Sequence, residues 1–138
     1  ENMQIRKIQK EDKKEVESLF AQLTEKQVDL DIDFLISSDN CHCLILEDNK
    51  KIIGTATLGV YVSPIKGETG VVEDVVVYEN YRGQGLGRKI MQELIKVAKE
   101  KNIQQITLTS NPKRIPARKL YESLGFKLRD TGFFVINL

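Results

Sequence analysis

The chain has 138 residues, 41 % hydrophobic and 30 % charged, with 21 lysines and arginines against 20 acids. That composition describes one globular domain, residues 1–138, long enough to bury roughly two thirds of its unfolded surface, and excludes a disordered tail. A formal charge of +1 is no signature of a general nucleic-acid binder, and no run approaches the ~20 apolar residues of a membrane span.

Residues 3–8 place Met3 and Ile5 two apart and end on Ile8, which predicts a short strand. Residues 10–23 predict a helix: Val16, Leu19, Phe20 and Leu23 fall on one stripe, and Glu11 and Asp12 stand in its first turn, where negative charge is favourable. A second, short helix is expected over 32–36. It lies within an acidic segment, residues 25–39, where five acids (Glu25, Asp29, Asp31, Asp33, Asp39) face only Lys26.

Residues 41–47 and 52–61 read as two strands of a hairpin around Asp48-Asn49-Lys50, with Gly54 and Gly59 marking bends or a bulge. Cys41 and Cys43 share a strand face while His42 points away, so the three cannot converge on a metal. They read as buried free cysteines, and no metal site is expected. With no targeting segment recognisable at either end, a reducing, cytoplasmic setting is the expectation.

Pro64, Gly67 and Gly70 predict a loop over 63–70. A central strand over 71–77 follows, then a glycine-rich turn and a helix running to about residue 101, with Leu86, Ile90, Leu94, Val97 and Ala98 at helical spacing. Beyond it a strand is expected at 103–109, a loop at 110–116, a helix at 117–124 closed by Gly125, and strands at 126–128 and 132–138. The order of these elements, with no repeat and no linker, requires a mixed sheet with helices on both faces.

The turn carries the strongest functional signal. Arg82-Gly83-Gln84-Gly85-Leu86-Gly87 joins the β-branched strand to the amphipathic helix, and Arg82, Arg88 and Lys89 add positive charge with no acid between residues 82 and 89. Glycines let a backbone approach an anion, and a helix start offers unpaired N–H groups and the positive end of its dipole. The residues therefore suggest a phosphate held in a strand-to-helix turn, the alternative being a glycine-softened turn on a basic surface. The order differs from the nucleoside-triphosphatase loop, since no Lys-Ser or Lys-Thr follows the last glycine, and from G-x-G-x-x-G.

With this turn, Leu120-Tyr121-Glu122-Ser123-Leu124-Gly125-Phe126 makes the chain resemble the GNAT superfamily of acetyl-coenzyme-A-dependent N-acetyltransferases. The turn matches the family's Arg/Gln-x-x-Gly-x-Gly/Ala pattern, and the second stretch its L-Y-x-x-x-G-F. The resemblance is strong over residues 70–126. It implies a single-domain α/β fold: a mixed central β-sheet with a splayed central strand pair and helices on both faces. It further implies that the backbone of Arg82, Gly83, Gln84, Gly85, Leu86, Gly87 and Arg88 holds the pyrophosphate of acetyl-CoA. Val75, Val76 and Val77 would offer main-chain groups to the pantetheine arm, and the strand at 106–109 would splay away to open the cleft.

The same resemblance implies roles for two side chains. Glu73 matches a family glutamate that helps deprotonate the amine; it could instead only order the loop or attract the amine by charge. On a regular strand Glu73 and Asp74 face opposite ways, so one of them is expected to point inward, and Asp74 is read as a backbone brace. Tyr121 matches a tyrosine proposed to protonate the departing thiolate, the alternative being an aromatic packed on pantetheine. Many members place asparagine where this chain has Arg114, so Asn111, Arg114 and Arg118 are candidate cofactor contacts, or else part of a solvated basic face with Lys113 and Lys119.

The reaction implied is direct acetyl transfer from acetyl-CoA to a primary amine, expected to be a small molecule, with the Val75 N–H as oxyanion donor. Rival readings are an aminosugar-phosphate acetyltransferase, a protein acetyltransferase, and a non-catalytic acyl-CoA-binding module. The acidic segment favours a cationic amine over a phosphorylated aminosugar, for which the usual acid after the fifth strand also has no match. No nucleic-acid or membrane partner is expected, and the resemblance allows a homodimer.

Overall fold

The structure is a computed structural model that describes residues 2–138. Its element order is β1 Met3–Lys7, α1 Lys13–Phe20, α2 Ile32–Ser37, β2 Cys41–Asp48, β3 Lys51–Ser63, β4 Gly67–Val77, α3 Leu86–Glu100, β5 Ile106–Thr107 and α4 Ile115–Ser123. The chain divides into two compact units, one reaching Leu108 and one of Thr109–Leu138. The fold is mixed α/β, with helices on both faces of a mixed sheet.

The sheet runs in the order β1-β2-β3-β4-β5. The first four strands pair antiparallel and β5 joins β4 in parallel. β2 and β3 form the expected hairpin: Asp48 opposes Lys51, and Asn49 and Lys50 both take positive φ (49° and 68°), as a two-residue type I′ turn requires. Register sets the two faces. Cys43, Ile45 and Val76 join Val16, Leu19 and Ile32 in one core, under α1 and α2. The opposite face belongs to α3, whose Leu86, Ile90, Met91, Leu94 and Ala98 are all buried. The leucine, isoleucine and methionine side chains each contribute about 1.5–3 kcal/mol by leaving water, and Ala98 less.

Several boundaries differ from expectation. The first helix stops at Phe20, because Gln22 and Leu23 donate to the carbonyls three residues back, at 3.2 and 2.8 Å, and tighten its last turn. Leu23 is consequently 45 % exposed rather than part of the buried stripe. The expected loop at 63–70 is mostly strand, since Ser63 pairs with Gly67 and only residues 64–66 turn. The strand expected at 103–109 shrinks to Ile106–Thr107, and α4 begins two residues early, with Pro116 accommodated in its first turn. Neither 126–128 nor 132–138 forms a strand. Phe133, Phe134, Val135, Ile136 and Leu138 are exposed, and alternation without a partner strand makes no ladder. Of the two free cysteines only Cys43 is buried; Cys41 is half-exposed.

An ion pair ties β1 to the turn before α1. Arg6 donates to both carboxylate oxygens of Asp12 at 2.7 and 2.9 Å and to Glu47 at 3.2 Å, and the Gln9 amide donates to Asp12 at 2.7 Å. Burial works against the Asp12 charge, yet Arg6 and the Gln9 amide outweigh it and hold the carboxyl below its ordinary value. A depressed folded value stabilises the protein above the unfolded value of about 3.9 and loses that contribution as pH falls through the folded one. Asp12→Asn should therefore cost about 2–3 kcal/mol at pH 7, as expected for a mostly buried pair that loses one partner. Urea unfolding should show the deficit shrinking as pH falls below about 4, where the unfolded carboxyl begins to take up its proton, and closing once the folded one is protonated too.

Candidate active site

Within the first unit, β4 is built to leave its end free. Its pairing with β5 covers only Gly70 and Val71, so from Val72 to Val77 no strand bonds that edge among the described residues. This is the splay expected beside the central strand. On the other edge the register with β3 jumps: Thr57 opposes Glu73 and Thr55 opposes Val76, leaving Asp74 and Val75 opposite the single Ala56. Such a two-for-one bulge bends a strand and re-aims its groups. Asp74 there takes φ 52°, an uncommon backbone for a residue with a side chain.

The bulge corrects the reading of the two acids. Strict alternation would have turned one inward, but both Glu73 and Asp74 are exposed, so burial gives no reason to prefer either. Val76 is buried, whereas Val75 and Val77 are half-buried. Glu73 keeps its candidacy as a base on position alone, beside the bulge and the free edge.

Past Val77 the chain makes a short 3-10 turn, Glu79–Tyr81, then the glycine turn and α3. Gly83 and Gly85 hold φ of +80° and +75°, and Gly85 is the N-cap of α3. A side chain added at either glycine would meet nothing within 4 Å, so the surface above the turn is open. The amides of Gly83, Gln84 and Gly85 bond to no protein acceptor among the described residues, and at the start of α3 Lys89 donates to the Gly85 carbonyl at 3.2 Å. Leu86 is buried and anchors the helix start; Gly87 is half-buried; Arg82 and Arg88 are exposed. Open backbone donors at a helix N-terminus fit a pyrophosphate.

Arg82 makes contacts that no sequence pattern marks. Its Nε donates to the Val77 carbonyl at 3.2 Å and its Nη2 to the Gln22 carboxamide oxygen at 3.3 Å. Sixty residues separate Gln22 from Arg82, and a lone glutamine carries no pattern, so only the fold joins them.

The second unit explains its own motif. Phe126 donates to the Tyr121 carbonyl at 3.0 Å and Gly125 to that of Glu122 at 3.0 Å, with Gly125 at φ +101°. This is a Schellman closure of α4, and its usual apolar contact is the edge-to-face pair of Tyr121 and Phe126, centroids 6.1 Å apart. The helix end calls for glycine at this position and an apolar pair around it, which Tyr121 and Phe126 supply. Tyr121 is buried, and burial raises the phenol's pKa while Arg114 partly offsets it, so the group is protonated at neutral pH. Asn111 turns the chain ahead of α4, its side chain accepting from the Lys113 amide at 2.9 Å, and Arg114 sits at the N-cap position. Asn111 and Arg114 are exposed and Arg118 is half-buried.

The acidic segment is less negative than its composition. Asp29 pairs with Lys13 at 3.0 Å, Asp33 with Lys10 at 3.7 Å, and Asp31 caps α2 by accepting from Phe34 at 3.2 Å. Lys10 and Lys13, from outside the segment, each cancel one of its charges. A polar cavity of about 250 Å³, lined by Asp39, His42, Val60, Glu68, Lys101 and others, lies at the C-terminal end of α3 and holds none of the candidate residues.

A turn of open amides at a helix start, set at the end of a strand with a bulge and one free edge, makes an anion-binding site on a mixed α/β fold. Residues 3–126 match the Acetyltransferase (GNAT) family, and the chain belongs to it. Over 92 residues, 65 % of this chain and 58 % of the relative, it is 33 % identical to glucosamine 6-phosphate N-acetyltransferase of Trypanosoma brucei brucei. Over another 92-residue match, 61 % of this chain and 54 % of the relative, it is 32 % identical to thialysine N-epsilon-acetyltransferase of Bos taurus. These matches thus span little more than half of either relative. A crystal structure of a Trypanosoma brucei acetyltransferase superposes with a TM-score of 0.84 and 25 % identity, covering 98 % of this chain and 99 % of the other.

Proposed function

We propose that residues 1–138 form one N-acetyltransferase domain that moves an acetyl group from acetyl-CoA to a small primary amine. The observation that carries this reading is the glycine turn, with unbonded amides under open space at the start of α3, directly after the free edge of β4. Membership of the family supports the reaction class.

In this reading the coenzyme supplies an activated acetyl thioester, and the chain supplies alignment and proton handling. The turn from Arg82 to Arg88 binds pyrophosphate through its backbone, and Val75, Val76 and Val77 hold the pantetheine arm. The Val75 N–H, carried by the bulge, donates to the carbonyl oxygen as charge develops there. Glu73 takes a proton from the amine, whose ammonium form has no lone pair to attack with. Tyr121 donates its proton to the leaving thiolate, and Arg114 and Arg118 stand as phosphate contacts. The free Cys41 and Cys43 support a reducing, cytoplasmic setting.

For the acceptor, the exposed Glu73 and Asp74 and the residual charge of the acidic segment favour a cationic amine. A phosphorylated aminosugar is the second reading, favoured by the 33 % identity to a glucosamine 6-phosphate enzyme. Mass spectrometry of acetylated products, over polyamines, amino acids, aminosugar phosphates and lysine peptides, decides between them. The expected result is highest kcat/KM for an unphosphorylated amine, with an acceptor KM that rises with ionic strength. A clear preference for glucosamine 6-phosphate would overturn the acceptor reading, and acetylation of none of them the activity.

A further inference from the structure

The glycine turn presents its amides in a fixed direction only if both of its ends are held. Downstream, the buried Leu86 fixes the start of α3. Upstream stands the 3-10 turn Glu79–Tyr81, whose own bonds are local: the Tyr81 amide donates to the Tyr78 carbonyl at 2.9 Å and that of Arg82 to the Glu79 carbonyl at 3.2 Å. Tyr78 is anchored to the rest of the domain. Its amide donates to the Ile53 carbonyl at 2.8 Å, its side chain packs on the core under α1 and α2, and its hydroxyl meets the Ser18 hydroxyl at 3.3 Å. Lys51, the first residue of β3, links the Tyr81 ring to that anchor. Its ammonium stands over both rings, 5.7 Å from the Tyr78 centroid and 5.8 Å from that of Tyr81. Lys51 makes no ion pair among the described residues, so the two rings are what engage its charge.

We propose that Lys51 is a positioning residue for coenzyme binding. Its ammonium, shared by the rings of Tyr78 and Tyr81, ties the 3-10 turn to β3 and so sets where the amides of Gly83, Gln84 and Gly85 stand before the pyrophosphate arrives. This rests on the acetyl-CoA reading above. A turn ordered in advance spares binding the work of ordering it. The loss on removing the tie is bounded by the strength of the tie, because binding then has to supply only what Lys51 did. Exposed cation–π contacts are modest, so the expected change is small and specific to the part of the ligand that sits on the turn.

Calorimetry with coenzyme A and with pantetheine, which lacks the pyrophosphate, tests the assignment. Lys51→Met keeps the apolar stem and drops the charge, and at an exposed position it should leave folding intact. It should raise the Kd for coenzyme A about fivefold, which is what exposed cation–π contacts amount to, and leave pantetheine binding unchanged. Tyr81→Leu should also weaken coenzyme A, and adding Lys51→Met to it should weaken binding little further, since both changes break one contact. A lysine acting only as a distant positive charge would instead give additive losses that fade at high salt. That additivity, an unchanged Kd for Lys51→Met, or equal losses for both ligands would overturn the proposal. A parent protein that binds no coenzyme A would overturn the acetyl-CoA reading itself, before Lys51 is touched.

Discussion

Gly85→Val is expected to weaken coenzyme A binding about 100-fold or more, the equivalent of losing two charge-assisted hydrogen bonds. Gly85 caps α3 at φ +75°, where a β-branched residue is strained, and relief of that strain would re-aim the neighbouring amides. The valine itself would stand in the open space above the turn. No protein atom lies within reach of an added Cβ, so the stability cost is the backbone term of about 1–2 kcal/mol and no packing clash. Calorimetry and thermal unfolding of the same variant separate the two effects. Unchanged affinity in a folded Gly85→Val protein would remove the pyrophosphate from this turn.

Glu73→Gln should lower kcat by about 10²–10⁴, the range for losing a positioned general base, while coenzyme A affinity stays at the parent value. The substitution keeps size and shape, removes the charge and basicity, and replaces one accepting oxygen by an NH2 donor. Glu73 is exposed, so no buried partner is stranded and stability should change little. A variant with parental kcat would make Glu73 a bystander beside the bulge and would leave the amine to arrive already neutral.

The first of these expectations falls on a stretch where sequence and structure agree, and the reasons are physical. The glycine turn was legible because positive φ and close approach both demand glycine, and those demands are local. The stripe of α3 was legible because burial against a sheet repeats with the helical period. The bulge at Asp74 and Val75 was not legible. It arises from the register between β3 and β4, and nothing in the run Val72-Glu73-Asp74-Val75 marks which residue is extra. The consequence reaches the site, since alternation turns one acid inward and the bulge leaves both exposed.

Charge shows the same limit. Residues 25–39 read as an acidic block, yet two of its aspartates pair with Lys10 and Lys13 and a third caps a helix. The Gly125 motif ran the other way: in a family signature, Tyr121, Gly125 and Phe126 turned out to close the end of α4. The C-terminal segment was misread because alternating apolar residues fit a strand only when another strand lies beside them.

Placing acetyl-CoA on the turn can be checked without knowing the acceptor. Coenzyme A is titrated into the isotopically labelled protein, and backbone amide resonances are followed residue by residue. The expected shifts concentrate at Gly83, Gln84, Gly85, Leu86 and Gly87 and at Val75, Val76 and Val77, while the amides around the His42 cavity stay in place. Shifts centred on that cavity, or no shifts at saturating coenzyme A, would contradict the placement and the acetyltransferase reading built on it.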